Sequence, residues 1–194
     1  MKKVMCYICV LILIFTCVPI YAVTFSDLPA NHWAYNNIMK LTNSGVINGY
    51  QDGTFRPGNM VTYGEFIKLV ICTYIPESDI VDISIGHWAY KYVMTAEALE
   101  ILPANSIRIE DLDKPITRIE MVKFLSMIDE RLNQDTIDEN FVLDFVDTDH
   151  LMPVYKKYLR RAVSKGYIQG NPDKTFKPEN NLTRAEMVTI LTRL

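Results

Sequence analysis

Apolar residues recur at helical spacing in six short segments of the chain, which fall into three pairs. In the first segment of each pair, apolar side chains stand at positions i, i+4 and i+7, which is one face of a helix. These residues are Ala34, Ile38 and Leu41; Ala89, Val93 and Ala96; and Tyr155, Leu159 and Ala162. The second segments place on one face Phe66, Leu69 and Val70; Met121, Phe124 and Leu125; and Met187, Ile190 and Leu191. The pattern predicts three helix-loop-helix units.

Signals for helix ends frame these segments. Gly45 and Gly166 follow two of the first helices and predict that those helices stop there. Each second helix begins with Thr-x-x-Glu, the pattern of a capping box, in which threonine and glutamate satisfy each other's backbone amides. Such a cap stabilises a helix by about 1 kcal/mol. We therefore assign to structure, and not to catalysis, Thr62, Thr117, Thr183, Glu65, Glu120 and Glu186.

The three units share a sequence skeleton, which indicates an internal repeat. Trp33 to Thr62 and Trp88 to Thr117 both span 29 positions, and the same spacing places Val154 where the third unit would carry tryptophan. Between the second and third units the chain is polar (NQDTIDEN), which is typical of a linker. We predict repeats at residues 23–78, 79–133 and 144–194, with a linker at 134–143.

The first 22 residues have the three-part pattern of a secretory signal peptide. A basic head is followed by the apolar run 4–20, and cleavage is expected after Ala22. The alternatives are a retained membrane anchor and a lipoprotein signal. The apolar run of about 17 residues is at the lower limit for crossing a bilayer, and Phe15 and Thr16 stand before Cys17 in place of the small residues of a lipidation site.

Cleavage would change the composition on which the remaining inferences rest. The 194-residue chain has a net charge of −3, and loss of Lys2 and Lys3 lowers it to −5. An acidic chain argues against a nucleic-acid binder, which needs a basic face to neutralise phosphates. Cys72 would be the remaining cysteine, so no internal disulfide is possible. Its apolar surroundings (FIKLVICTYI) predict that it lies in the core.

Two arginines stand where the helix dipole does not favour a cation. Arg118 and Arg184 occupy the first position of their predicted helices, where the partial charge of the helix is positive. Unpaired helix amides together with an arginine fork can bind a carboxylate or a phosphate. The alternative is an arginine paired with a neighbouring acid, and the residues alone leave both interpretations open.

Taken together, the motifs resemble the surface-layer homology (SLH) domain. These motifs are Phe-x-Asp, His-Trp-Ala-Tyr, Gly-x-Ile-x-Gly-Tyr-x-Asp-Gly-Thr-Phe-x-Pro and Thr-Arg-Ala-Glu, in order, over residues 24–194. The resemblance implies an all-α fold of three helix-loop-helix repeats in a pseudo-threefold arrangement around a central three-helix bundle. It also implies an exported bacterial protein held on the cell wall. The implied ligand is a secondary cell-wall polysaccharide carrying pyruvate ketals, bound in grooves between repeats, or in some members modified peptidoglycan.

The resemblance carries a set of binding residues onto this chain. Arginine in Thr-Arg-Ala-Glu would bind the ketal carboxylate, tryptophan would stack on a sugar ring or anchor the core, and the loop glycine would let the backbone approach the ligand. The residues concerned are Arg118, Arg184, Asp27, Asp82, Asp147, Trp33, Trp88, Gly49 and Gly170. We expect Arg184 and Arg118 to carry affinity.

Each repeat departs from the family pattern at one place. The first has Tyr63-Gly64 in place of Arg-Ala, the second has residues 103–108 (PANSIR) in place of the Gly-Tyr loop, and the third has Val154 in place of tryptophan. A groove formed by adjacent repeats could still be complete if it drew its parts from intact copies. The departures nonetheless predict that one groove is weak or does not bind.

The leading hypothesis is a monomeric, non-enzymatic module on the bacterial cell wall or surface layer. The second hypothesis is a structural or assembly protein whose surfaces dock another envelope protein, since the chain ends at Leu194 without a cargo domain. An enzyme is disfavoured because the sequence offers no nucleophile–base pair and no carboxylate pair placed as in a glycosidase. No cysteine–histidine cluster has metal-ligand spacing, so neither a metal nor another cofactor is expected.

Overall fold

The regular structure is helical throughout the part of the chain that the computed structural model describes, residues 23–83, 86–136 and 141–194. Those residues form six α-helices and two short 3-10 turns, Glu77–Asp79 and Ile109–Asp111, and no strand. The helices are α1 (Tyr35–Asn43), α2 (Tyr63–Tyr74), α3 (Tyr90–Ala98), α4 (Arg118–Asn133), α5 (Pro153–Ser164) and α6 (Arg184–Leu191). The predicted all-α fold class is confirmed. The predicted signal peptide, residues 1–22, and positions 137–140 of the predicted linker lie outside the described residues.

The predicted helix ends are confirmed. At α2 the Glu65 amide donates to Thr62 Oγ1 over 3.2 Å, and the Thr62 amide donates to Glu65 Oε2 over 3.0 Å. Complete capping boxes also begin α4 and α6. Gly45 and Gly166 follow α1 and α5 with φ of 74° and 76°, the left-handed conformation that ends many helices. None of the helices in the described ranges combines the length and hydropathy needed to cross a membrane.

A closed ring of backbone hydrogen bonds joins the segments that precede α2, α4 and α6. The Val61 amide donates to the Leu182 carbonyl over 2.8 Å, the Leu182 amide to the Ile116 carbonyl over 2.9 Å, and the Ile116 amide to the Val61 carbonyl over 2.9 Å. All three side chains are buried, and each residue directly precedes a capping threonine. Each segment therefore donates to one neighbour and accepts from the other.

The helix starts continue this cyclic arrangement. In α6 the Arg184 amide donates to the Asn59 carbonyl over 2.9 Å and the Ala185 amide to the Pro57 carbonyl over 3.0 Å. The corresponding amides of α2 donate to Lys114 and Leu112, and those of α4 to Asn180 and Pro178. Thus the first amides of α6 are bonded to the first predicted repeat, those of α2 to the second and those of α4 to the third. We say that each helix starts on the repeat to which it is bonded in this way. The pseudo-threefold arrangement of the repeats and the central three-helix bundle stay predictions.

Helix packing follows the same order, with α6 against α1, α2 against α3 and α4 against α5. The predicted apolar faces are buried except at Leu69 and Tyr155, which are half-buried. The prediction for Cys72 is wrong, because its side chain is exposed. Its neighbour Ile71 is fully buried, and successive residues of a helix point about 100° apart.

A buried ion pair fixes α4 to α5. Arg161 Nε donates to Asp129 Oδ2 over 2.6 Å, and the Tyr167 hydroxyl donates to Asp129 Oδ1 over 2.7 Å. Asp129 is fully buried, so these partners replace the water that the carboxylate loses. Asp135, at the start of the predicted linker, forms ion pairs with Arg161 and Lys165. The described beginning of the linker is thereby attached to α5.

The Phe-x-Asp motif holds the glycine-rich loop of its own repeat. In the first repeat the two carboxylate oxygens of Asp27 accept from the amides of Phe55 and Arg56, each over 2.7 Å. The ring of Phe25 lies so close to Gly49 that a Cβ atom there would overlap it. The third repeat has the same contacts, with Asp147 accepting from Phe176 and Lys177 and with Phe145 against Gly170. The motif and the loop therefore fold as one unit.

Gly49→Ala is expected to lower the free energy of unfolding by about 1–3 kcal/mol, since the added methyl group must displace the Phe25 ring. The matched control is Gly58→Ala, where a Cβ atom would meet nothing within 4 Å and the change is expected to stay within about 0.5 kcal/mol. Urea unfolding measures both. Equal losses in the two variants would contradict the proposed contact.

The capping glutamate of α4 predicts a pH dependence of stability. Burial raises the pKa of Glu120, but hydrogen bonds from Thr117 and Tyr63 outweigh it, so the pKa lies below its ordinary value of 4.5. A carboxyl group with a lowered pKa in the folded state stabilises above its unfolded pKa and loses that contribution as the pH falls through the folded value. Stability should therefore decrease in acid, below about pH 4.5.

Glu120→Gln separates this effect from the cap itself, because glutamine also completes a capping box but does not titrate. Free energies of unfolding measured from about pH 7 to pH 3 should fall less steeply in the variant than in the unsubstituted protein. Parallel curves would show that Glu120 contributes nothing to the acid dependence.

Candidate functional site

A groove of about 290 Å³ lies where parts of all three predicted repeats meet. The first repeat supplies its loop and α2, the second supplies Trp88, and the third supplies α6. We call it the Arg184 groove, and the lining residues used below are Asn48, Phe55, Glu65, Lys68, Trp88 and Arg184. Two of the predicted binding residues, Arg184 and Trp88, thus come together from different repeats.

Arg184 is held in this groove by carbonyl groups of the first repeat. Its Nε donates to the Phe55 carbonyl over 3.1 Å and its Nη2 to the Asn48 carbonyl over 3.3 Å. The guanidinium lies 4.8 Å from the centre of the Phe55 ring and 5.0 Å from that of Tyr50. Its Nη1 lies 4.0 Å from Glu65 Oε1, which is beyond hydrogen-bond length. Among the described residues, Nη1 has no hydrogen-bond acceptor.

Lys68 adds a second cation to the groove. It is an exposed residue of α2, and its Nζ lies 6.0 Å from the centre of the Trp88 ring. Lys68 is not among the binding residues predicted from the sequence. A signal was present, because lysine stands six residues after the capping threonine at both Lys68 and Lys123, but spacing alone does not bring either residue to a tryptophan.

Both tryptophans are exposed, which excludes the core-anchor alternative. Trp33 is 64% exposed and Trp88 is 53% exposed. The buried positions are taken by the alanines that follow them, Ala34 and Ala89. The amides of these alanines donate to Nδ1 of the histidine that precedes each tryptophan, over 3.2 Å and 3.1 Å. These short turns leave the indole rings facing solvent.

Arg118 makes the same kind of contacts with the third repeat, but it is more fully engaged. Its Nε donates to the Phe176 carbonyl and its Nη1 to Glu186 Oε1, each over 2.8 Å. The residue is 8% exposed. Of the two interpretations left open by the sequence, Arg118 therefore fits the second, an arginine paired with an acid.

The helix amides do not form the anion site considered above. In α4 and α6 the first two amides donate to carbonyls of the adjacent repeat, and the third is capped by threonine. That part of the prediction is wrong because the fold supplies acceptors for amides that an isolated helix leaves unpaired. Any anion would have to be bound by side chains.

The remaining predicted residues have contacts within the fold. Both oxygens of Asp27 and of Asp147 accept from loop amides, and Gly49 and Gly170 make room for phenylalanine rings. Asp82 is exposed and accepts no side-chain hydrogen bond from the residues described. A ligand role for these five residues stays a prediction. Nor do three His, Cys, Asp or Glu side chains gather as possible metal ligands anywhere in the described ranges.

Comparison with known proteins agrees with the motifs. The S-layer homology domain model matches residues 24–67 and 144–188, which fall within the first and third predicted repeats. The cellulosome-anchoring protein of Acetivibrio thermocellus is 30% identical over 172 residues, covering 89% of this chain and 26% of that protein. The S-layer protein sap of Bacillus anthracis is 25% identical over 177 residues, covering 88% and 21%.

An amylopullulanase of Thermoanaerobacterium thermosulfurigenes is 26% identical over 178 residues, covering 88% of this chain and 9% of that enzyme. The chain thus spans about a quarter or less of the length of these relatives. The second repeat, the repeat boundaries and the signal peptide stay predictions. This chain is therefore similar to S-layer homology domain proteins over two segments, residues 24–67 and 144–188.

Proposed function

We propose that this protein attaches to the bacterial cell surface by binding an anionic saccharide of the cell wall in the Arg184 groove. The observation that carries the proposal is the meeting of Arg184, Lys68 and Trp88, from three different repeats, in one open groove. The expected ligand is a secondary cell-wall polysaccharide, and a pyruvate ketal would supply its carboxylate.

The groove combines the two chemistries that such a ligand needs. Arg184 is fixed by two carbonyl groups, so little side-chain entropy remains to be lost on binding, and its Nη1 can donate to a carboxylate. The exposed ring of Trp88 offers an apolar face on which the C–H groups of a sugar can lie. Binding of this kind requires no bond to be made or broken, so the proposal is a binding module and not an enzyme.

The relatives add support for the surface location. Their names describe a cellulosome-anchoring protein and S-layer proteins, and an enzyme is matched over less than a tenth of its length. We propose the same location for this chain, exported and held on the wall or surface layer without a covalent bond.

Retention on wall sacculi tests the proposal. Residues 23–194 should bind intact sacculi and should fail to bind sacculi whose polysaccharide has been chemically stripped. Binding that survives stripping would indicate peptidoglycan as the ligand and contradict the polysaccharide proposal. Absence of binding to both preparations would leave a protein partner as the remaining hypothesis and refute attachment to wall polymers.

Arg184→Gln should weaken retention on intact sacculi by about 10- to 100-fold, the loss expected when a charge-assisted hydrogen bond is removed. The control is Arg108→Gln, which removes the same charge from an arginine whose side chain is 62% exposed and which lies outside the Arg184 groove lining. A thermal unfolding curve for each variant separates loss of binding from loss of fold. Equal retention of the two variants would remove Arg184 from the site.

A further inference from the structure

The cyclic order of the repeats assigns three related grooves, each built from three parts. The first part is the residue that begins the second helix of one repeat. The second part is the loop and the second helix of the next repeat, to which the amides of that first residue's helix are bonded. The third part is the tryptophan position of the remaining repeat. The Arg184 groove is one of these. The Arg118 groove takes the loop and α6 of the third repeat with Trp33. The Tyr63 groove takes the loop and α4 of the second repeat with Val154.

All three sequence departures fall in the Tyr63 groove. Tyr63 stands in the place of arginine and starts on the second repeat, where its amide donates to Lys114 over 3.1 Å. That repeat is the one with residues 103–108 in place of the Gly-Tyr loop. Its α4 packs against α5, whose second residue, Val154, stands in place of tryptophan. One defect from each copy is thus collected in a single groove.

The Tyr63 ring is also engaged within this groove. It meets the ring of Phe124 edge-on, with the centres 6.1 Å apart. Burial and a hydrogen bond to Glu120 raise the pKa of Tyr63 far above its ordinary value, so the phenol is neutral. This groove has neither the arginine nor the tryptophan of the other two.

The Arg118 groove keeps its arginine and tryptophan, but its arginine is paired with a carboxylate. Arg118 Nη1 donates to Glu186 Oε1 over 2.8 Å, whereas the corresponding distance from Arg184 Nη1 to Glu65 Oε1 is 4.0 Å. The position of Lys68 is occupied by Thr189, which accepts from Asn37 Nδ2 over 3.3 Å. An incoming carboxylate would have to displace Glu186 without help from a second cation.

From these differences we infer that the Arg184 groove is the single anionic-saccharide site of the chain and that Lys68 determines its preference for a charged ligand. The inference rests on the proposed function. In this groove Lys68 and Arg184 face one carboxylate, Glu65, which is itself used in the capping box of α2. A ligand carboxylate therefore balances a local excess of positive charge, and it does so in neither of the other grooves.

Calorimetric titration of residues 23–194 tests the number of sites and the role of Lys68. The charged probe is methyl glucopyranoside carrying a 4,6-pyruvate ketal, and the neutral probe is its 4,6-ethylidene counterpart without the carboxylate. One site per chain is expected for the charged probe. Trp88→Ala should weaken it at least tenfold, and Trp33→Ala, which removes the other exposed tryptophan, assigned above to the Arg118 groove, should leave it unchanged.

Lys68→Gln should weaken the charged probe about two- to fivefold, as expected for an exposed ion pair, and should not change the response to the neutral probe. Lys123→Gln is the matched control, since Lys123 holds the same repeat position in the Tyr63 groove. Equal effects of the two substitutions would overturn the role of Lys68.

The remaining outcomes separate the inference from the proposed function. Two sites per chain, or equal losses in Trp33→Ala and Trp88→Ala, would overturn the single site while leaving saccharide binding intact. Absence of a response to the charged probe, in a protein that is still retained by intact but not by stripped sacculi, would overturn the preference for a carboxylate alone. Absence of a response to the charged probe together with absence of retention on intact sacculi would overturn the proposed function as well.

Discussion

The ring of hydrogen bonds among Val61, Ile116 and Leu182 is the constraint on which the rest of this structure depends. Each second helix begins against the loop of the next predicted repeat. Carbonyl groups of that loop accept hydrogen bonds from the first helix amides, which would otherwise lack partners. A single repeat would expose those amides and would contain only fragments of a groove. The Arg184 groove therefore forms where parts of three predicted repeats meet, as a direct result of how the helices start.

Under the proposed function, this arrangement lets three imperfect copies make one complete site. Because a groove takes its arginine, loop and tryptophan position from three different repeats, one departure in each copy need not damage all three grooves. In the proposed assignment the three departures fall in the Tyr63 groove, and the Arg184 groove keeps its arginine, loop and tryptophan. A change of one acid–arginine distance, from 4.0 Å at Glu65 to 2.8 Å at Glu186, then distinguishes the two grooves that retain an arginine.

Local signals were sufficient to predict the helices. The exposure of Cys72 and the partners of Arg118 and Lys68 depend on long-range packing, which local signals do not show. Capping boxes and stop glycines depend on neighbouring residues, so they were predicted correctly. Cys72 was misplaced because its neighbours in sequence are apolar, whereas in α2 it lies exposed together with Lys68 and Thr73. The pairing of Arg118 with Glu186 joins residues far apart in the chain, and Lys68 meets Trp88 through the packing of α2 against α3. Neither contact has a local signature.

The most direct test of the central claim uses the two tryptophans of the chain, Trp33 and Trp88. The ¹⁵N-correlated spectrum of residues 23–194 should contain two indole N–H signals, which the Trp33→Phe variant assigns. Titration with the ketal-bearing glucoside should shift the Trp88 signal and leave the Trp33 signal in place. A shift of the Trp33 signal alone, or equal shifts of both, would contradict a site formed only in the Arg184 groove.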